Sequence, residues 1–80
     1  MITPAQCRAA RGLLGWNQQD LARQAGVGIV TVHQLETCLS QPRHATLSVI
    51  RRAFEDAGVE FIDENGGGPG LRLRKRTRQK

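Results

Sequence analysis

The stretch AGVGIVTVHQLE, residues 25–36, decides the fold of this chain. Its centre, IVTV at 29–32, is a run of four β-branched residues, a composition typical of a strand. The run nevertheless follows Gly28 and leads to Glu36, between segments whose other signals are helical. Whether these residues form a strand or a helix determines which side chains are buried.

A helix accounts for the stretch better than a strand does. If Gly28 is the N-cap, Val27 and Val32 occupy the two positions of a hydrophobic staple, which fixes the start of a helix. A strand would leave both that pair and Glu36 unexplained. We therefore predict a helix over about residues 28–37. Its inner face carries Val32, Leu35 and Glu36, and its outer face carries Val30, His33, Gln34 and Thr37.

The segment before this stretch predicts two further helices. Thr3 is a suitable N-cap, Pro4 suits the first helical position, and Gln6 completes a capping box. The apolar positions Cys7, Ala10 and Leu14 then recur at helical spacing up to Gly15, with Cys7 interpreted as a small buried hydrophobe. The second helix is short: it starts after Asn17, has Asp20 in its first turn, and ends at Gly26.

The segment after it predicts a fourth helix and then a change of period. Residues 43–58 place Leu47, Ile50, Phe54 and Ala57 at helical spacing. Residues 59–63 and 71–74 alternate with period two and flank a loop of turn-forming residues, which predicts two strands. The expected fold is mainly α: four helices over residues 1–58, a two-stranded β extension over 59–74, and a flexible tail over 75–80.

The basic residues are concentrated at one end of the chain. Residues 1–70 hold six Arg against seven acidic residues, whereas residues 71–80 hold six basic residues and no acid. A basic arm on a nearly neutral domain favours a nucleic-acid partner. A tail that only aids solubility is the alternative.

Composition excludes several other classes of protein. No apolar run approaches the roughly 18 residues of a membrane span, and the N-terminus lacks the apolar core of a signal peptide, so we expect a cytoplasmic protein. Cys7, His33, Cys38 and His44 do not have the spacing of a common zinc site. The chain also lacks a local nucleophile–base set and a phosphate-binding glycine loop, so we expect neither an enzyme nor a cofactor or metal.

Residues 17–36 resemble the helix-turn-helix of the lambdoid phage repressor and Cro family, also called xenobiotic-response-element-type regulators. The matching residues are Gln18, Leu21-Ala22, Gly26, Thr31-Val32 and Leu35-Glu36, and the resemblance covers about residues 5–57. It implies a homodimer that binds an inverted repeat in double-stranded DNA, with helix three in the major groove. It also implies a buried ion pair between Arg11 and Glu36, which would fix the geometry of helices one and three.

The resemblance and the basic arm together suggest candidate contacts to the bases and the phosphates of DNA. We expect Gln34 to be the main hydrogen-bonding base contact, because a side-chain amide matches adenine in bidentate fashion. The full set of candidate base contacts is Gly28, Ile29, Val30, His33 and Gln34. The candidate phosphate contacts are Gln18, Thr31, Arg43, Arg72, Arg74, Lys75 and Arg76.

Three features depart from the family pattern. Gly28 replaces the usual Ser or Thr cap, and Cys38 stands where a Gly usually ends helix three. The β extension has no counterpart in the core family, which suggests a dimer interface of its own. The candidate dimer contacts are Val59, Phe61, Leu71 and Leu73, and the sequence leaves open whether the two strands pair within one chain or between chains.

Two other functions fit the same residues. The first is a protein-interaction module, such as an antitoxin or the target of a small antiactivator, in which Ile29 and Val30 form a hydrophobic docking patch. The second is a non-specific nucleic-acid binder that works mainly through the basic tail. A metal or redox sensor that uses Cys7 and Cys38 is a more remote alternative. The operator, the sign of regulation and any effector are not encoded in a recognisable way.

Overall fold

The structure, a computed structural model, describes residues 2–37, 43–62 and 70–73. It contains four helices followed by two strands, and this confirms the predicted mainly α fold with a small β extension. The elements are α1 (Pro4–Leu14), α2 (Gln18–Ala25), α3 (Ile29–Thr37), α4 (His44–Asp56), β1 (Val59–Ile62) and β2 (Gly70–Leu73). Within the described ranges, no helix is long and apolar enough to cross a lipid bilayer.

The first two helices begin and end at the residues that their capping signals predict. The Thr3 hydroxyl accepts a hydrogen bond from the Gln6 backbone N–H at 3.1 Å, and the Gln6 side chain accepts one from the Thr3 N–H at 3.0 Å. Asn17 and Asp20 form the same reciprocal pair at the start of α2. Both helices end at a glycine in the left-handed conformation, Gly15 (φ 69°) and Gly26 (φ 73°), where a Cβ would be strained.

The β-branched run at residues 29–32 is helical. The Gly28 carbonyl accepts hydrogen bonds from the N–H groups of Thr31 at 3.1 Å and Val32 at 3.3 Å, so it closes the first turn of α3. The buried residues of this helix are Val32, Leu35 and Glu36, as the helical pattern predicts. Packing of this inner face on the other helices outweighs the strand preference of β-branched side chains.

Phe54 on α4 is a centre of the hydrophobic core. Its ring stacks on Trp16 at 5.8 Å between centroids and lies 6.2 Å from Phe61 at a tilt of 59°, arrangements that aromatic pairs favour. The remaining buried hydrophobic residues come from the segment before α1, from every helix and from β1: Ile2, Cys7, Ala10, Leu21, Ala22, Val32, Leu35, Leu47, Ile50 and Val59. One core therefore connects the helices with the first strand.

The strands pair with each other within the chain, in antiparallel register with Val59 opposite Leu73 and Phe61 opposite Leu71. The second strand starts at Gly70, one residue earlier than predicted. The predicted strand ends at residues 63 and 74 lie outside the described residues. Arg51 on α4 lies over the Phe61 ring at 5.0 Å, a cation–π contact that joins α4 to the sheet.

The in-chain hairpin changes the set of candidate dimer contacts. Val59 is completely buried in the chain's own core, so its side chain is not available to a second copy, and this candidate is withdrawn. Its burial follows because only two residues separate α4 from β1, and the strand packs against that helix. Phe61 and Leu71 are partly buried against the same core, whereas Leu73 is 45% exposed. Leu73 is thus the most accessible of the four.

Candidate nucleic-acid interface

Helices α2 and α3 are joined by a turn of three residues, Gly26, Val27 and Gly28. This short glycine-containing connection is the arrangement of a helix-turn-helix unit. The outer face of α3 is open to solvent: Gly28, Ile29, Val30, His33 and Thr37 are exposed. Thr31 and Gln34 are half-buried. The structure thus brings the five candidate base contacts together on α3 and the turn residue before it, with Gln34 the most enclosed.

The start of α3 presents two large apolar side chains to solvent. Val30 is 63% exposed, the highest value among the large hydrophobic residues of the described ranges, and Ile29 beside it is 46% exposed. Exposed apolar residues that occur singly need no explanation, but adjacent ones at the tip of a helix point to a contact surface. We refer to Ile29 and Val30 as the apolar tip.

The inner face of α3 carries a buried carboxylate, Glu36, that accepts four hydrogen bonds. Arg11 binds both of its oxygens, Nε to Oε2 at 2.6 Å and Nη2 to Oε1 at 2.7 Å. The Gln18 amide donates to Oε1 at 3.0 Å, and the Cys7 thiol donates to Oε2 at 3.1 Å. These four residues, the Glu36 cluster, contain the ion pair that the resemblance implies. They also contain two donors, Cys7 and Gln18, that the sequence did not predict.

The donors keep the buried carboxyl ionised. Burial alone would raise the pKa of the Glu36 carboxyl, but the hydrogen bonds from Arg11, Gln18 and Cys7 outweigh burial and hold that pKa below its ordinary value. Burial and the hydrogen bond to Glu36 raise the pKa of the Cys7 thiol, which therefore stays protonated and able to donate. The thiol is a donor to an anion as well as a core side chain.

The Glu36 cluster joins three helices. Arg11 and Cys7 come from α1, Gln18 from α2 and Glu36 from α3. The Arg8 guanidinium adds a second link, since it donates to the backbone carbonyl of Glu36. That carbonyl lies in the last turn of α3, where it has no partner within the helix. The cluster consequently fixes the orientation of α3 relative to α1 and α2, and so the direction in which the outer face points.

Gln18 has a structural role that the sequence did not predict. Its side-chain amide, a candidate phosphate contact, donates a hydrogen bond to Glu36. The capping box at the same helix end also places the Asp20 carboxylate beside the first turn of α2. A negative charge there opposes an incoming phosphate. The physical reason for the bond to Glu36 is that a long amide side chain at the first helical position can turn inward when a buried acceptor lies within reach.

The predicted phosphate contacts made by basic side chains are only partly described. Arg43 is exposed at the N-cap of α4, and its side chain does not cap that helix. Arg72 donates to Glu60 at 2.8 Å across the sheet, a pair that is largely exposed and therefore weak enough to exchange partners. Arg74, Lys75 and Arg76 lie outside the described residues, as does the tail at 75–80.

The residues of the discounted zinc site are not brought together where the structure describes them. Cys7 is buried beside Glu36, whereas His33 and His44 are exposed on separate helices. Cys38, with its predicted strain at the end of α3, lies outside the described residues. In residues 2–37, 43–62 and 70–73, no three His, Cys, Asp or Glu side chains form a group that could hold a metal ion.

A single spacing in the sequence could have indicated the role of Cys7. It lies four residues before Arg11, so the two side chains project from the same face of α1. Any acceptor that Arg11 binds is thus within reach of a donor at position 7.

Neither a scan against protein-family models nor a search of curated proteins finds a match to this chain.

Proposed function

We propose that this chain is a sequence-specific DNA-binding transcriptional regulator that places α3 in the major groove. The observation that carries the proposal is the contrast between the two faces of α3. Its inner face is buried and held by the Glu36 cluster, while Ile29, Val30 and His33 on its outer side are exposed, Val30 to 63%. A rigidly held helix with an open outer face is what major-groove insertion needs.

Charge supports a polyanionic partner. The chain has a formal net charge of +5, and six basic residues lie between positions 71 and 80. Phosphate contacts by such residues release counterions, so the affinity for DNA should fall steeply as salt increases. This attraction holds the chain on any duplex, and sequence preference must come from contacts at the base edges.

The proposed regulator acts as a homodimer on an inverted repeat. Two copies of α3 about 34 Å apart would reach half-sites one helical turn apart. Leu73 on β2 and Ile62 on β1, each more than 40% exposed, are the apolar side chains of the sheet that a second copy could cover. Such a regulator would act in the cytoplasm, at the nucleoid.

The decisive experiment selects preferred duplexes from a random pool and compares two variants on them. Val30→Asp places a negative charge on the proposed groove face and should abolish specific binding. Val49→Asp is the matched control, because Val49 is an exposed valine (44%) on α4, away from that face. It should bind as the wild type does. Equal affinity for all duplexes, or equal binding by the two variants, would rule out the proposal.

Gln34→Ala tests the hydrogen-bonding contact. If Gln34 contacts a base, the variant should lose about 1–3 kcal/mol of discrimination at one position of the site while it keeps its affinity for random DNA. The control is Thr37→Ala, which is exposed on the same outer face and is not among the candidate base contacts. An unchanged preference in Gln34→Ala would remove this residue from the set of base contacts.

The apolar tip also favours a second candidate function, a protein-interaction module. Ile29 and Val30 together could fill a hydrophobic site on a partner such as an antiactivator. In that case the wild type would show no preferred duplex, and Val30→Asp but not Val49→Asp would lose a protein partner. Removal of residues 75–80 tests the remaining alternative, a non-specific nucleic-acid binder that works mainly through its basic tail. Such a binder would lose DNA binding altogether without the tail, whereas a sequence-specific regulator would keep its preferred duplex.

A further inference from the structure

The apolar tip limits the chemistry by which α3 can distinguish bases. Ile29 and Val30 are adjacent, lie in the first turn of α3 and are 46% and 63% exposed. Neither side chain has a hydrogen-bond donor or acceptor. Contact with a base edge through these residues is therefore limited to apolar contact and to the exclusion of water.

The major groove offers one apolar group for such contact. Among the four bases only thymine carries a methyl group in the major groove, at C5, where cytosine carries a hydrogen. Packing Val30 against a methyl group buries apolar surface on both partners. Packing it against the donors and acceptors of the purine edges would leave a polar group without a partner, which is costly. The apolar tip thus favours contact with a C5-methyl group over contact with the donors and acceptors of the base edges.

We propose, building on the DNA-binding function above, that Ile29 and Val30 recognise the C5-methyl groups of pyrimidines in the major groove. The group recognised is the methyl and not the base that carries it. Cytosine methylated at C5 presents the same group at the same edge, so the chain distinguishes methylated from unmethylated cytosine where this tip contacts the groove. Charge complementarity supports DNA as the occupant, since the chain's net charge is +5.

Uracil substitution tests the inference on the full chain. Uracil pairs as thymine does but lacks the methyl, so each thymine of the selected duplex is replaced in turn. A contacted methyl should contribute about fourfold in affinity, equivalent to about 0.8 kcal/mol. Val30→Ala should reduce that sensitivity at one position, as in a double-mutant cycle. Val49→Ala, an equally conservative change on α4, should leave it unchanged.

A cytosine series completes the test. At the sensitive position, cytosine should weaken binding and 5-methylcytosine should restore part of the affinity in the wild type but not in Val30→Ala. A preferred duplex that tolerates uracil everywhere, or a sensitivity that Val30→Ala and Ile29→Ala leave unchanged, overturns this inference while the proposed function stands. The lack of any preferred duplex overturns both.

Discussion

Two Arg–Glu pairs of similar length lie in opposite surroundings. Arg11 Nε lies 2.6 Å from Glu36 Oε2, and the two side chains are 19% and 2% exposed. Arg72 Nε lies 2.8 Å from Glu60 Oε1, but these side chains are 66% and 44% exposed. The first pair shares its carboxylate with two further donors, and the second joins neighbouring strands at the surface. The distances alone would rank the pairs as equals, yet their roles differ.

The difference lies in what happens when one partner is removed. Water solvates a surface partner that is left alone, so an exposed pair contributes about 0–1 kcal/mol. A buried carboxylate left alone keeps its desolvation cost, so breaking a buried pair costs about 3–5 kcal/mol even where the intact pair adds little net stability. The Glu36 cluster therefore determines how the helices are arranged, and the surface pair adjusts stability slightly.

The largest expected effect is that of Arg11→Met. It removes two of the four donors to Glu36, and we expect a loss of about 3–5 kcal/mol in the free energy of unfolding. Urea titration followed by the fluorescence of Trp16, the single tryptophan, measures it. Arg72→Met is the matched control and should lose under about 1 kcal/mol. Equal losses of unfolding free energy in the two variants would show that the buried pair and the surface pair contribute alike.

The second effect is a loss of stability in acid that depends on Glu36. Its folded pKa lies below its ordinary value of 4.5, so the stabilisation is complete above that value and is lost as the pH falls towards the folded pKa. The wild type should therefore lose more stability between about pH 5 and pH 3 than Glu36→Gln, in which this carboxyl cannot titrate. If the unfolding free energies of the wild type and Glu36→Gln changed with pH in the same way, titration of the Glu36 carboxyl would not be the cause of the loss in acid.

Cys7 gives the third effect. Cys7→Ala removes one donor to a charged acceptor, and we expect a loss of about 1.5–3 kcal/mol. Cys7→Ser keeps a donor of similar size and should lose less, although its hydroxyl is more polar than a thiol. Thermal or urea unfolding of both variants measures the difference. If Ser were no better than Ala, Cys7 would contribute to packing only.

The smallest effect is expected for Glu60→Gln. It breaks the surface pair with Arg72, and we expect a change of at most about 1 kcal/mol that shrinks further as salt screens the pair. Unfolding at low and high ionic strength measures it. A loss comparable to that of Arg11→Met would mean that the hairpin depends on this ion pair and not on the contacts of Val59 and Phe61.

Local signals in the sequence predicted the helices well, and distant contacts account for what was missed. Thr3, Asn17, Gly15 and Gly26 act within one turn of their own position, so their effects can be inferred without knowledge of the fold. The short stretch around Val27 and Val32 was also decided locally, by the staple pattern. These residues show that the ends of a helix can be predicted from the sequence immediately around them.

The Glu36 cluster could be predicted only in part because its members are far apart in the sequence. Cys7 lies 29 residues from Glu36 and Gln18 lies 18 away. Helical spacing indicates that such residues share a face, but not which acceptor they meet. The Arg11–Glu36 pair was expected from the family resemblance alone. Val59 was misassigned for the same reason, because strand alternation does not indicate which helix covers the strand.

The contact from Arg8 to the Glu36 carbonyl has a consequence for the order of folding. Helix α3 has nine residues, fewer than the roughly 12–15 that an isolated helix needs in water, and five of them are β-branched. Part of the support at its C-terminal end comes from another helix, α1. We expect α1 and α2, which carry their own caps, to form early, and α3 to become helical only as it docks on them. The segment that carries the proposed recognition surface would then acquire its helical shape after the two helices on which it docks.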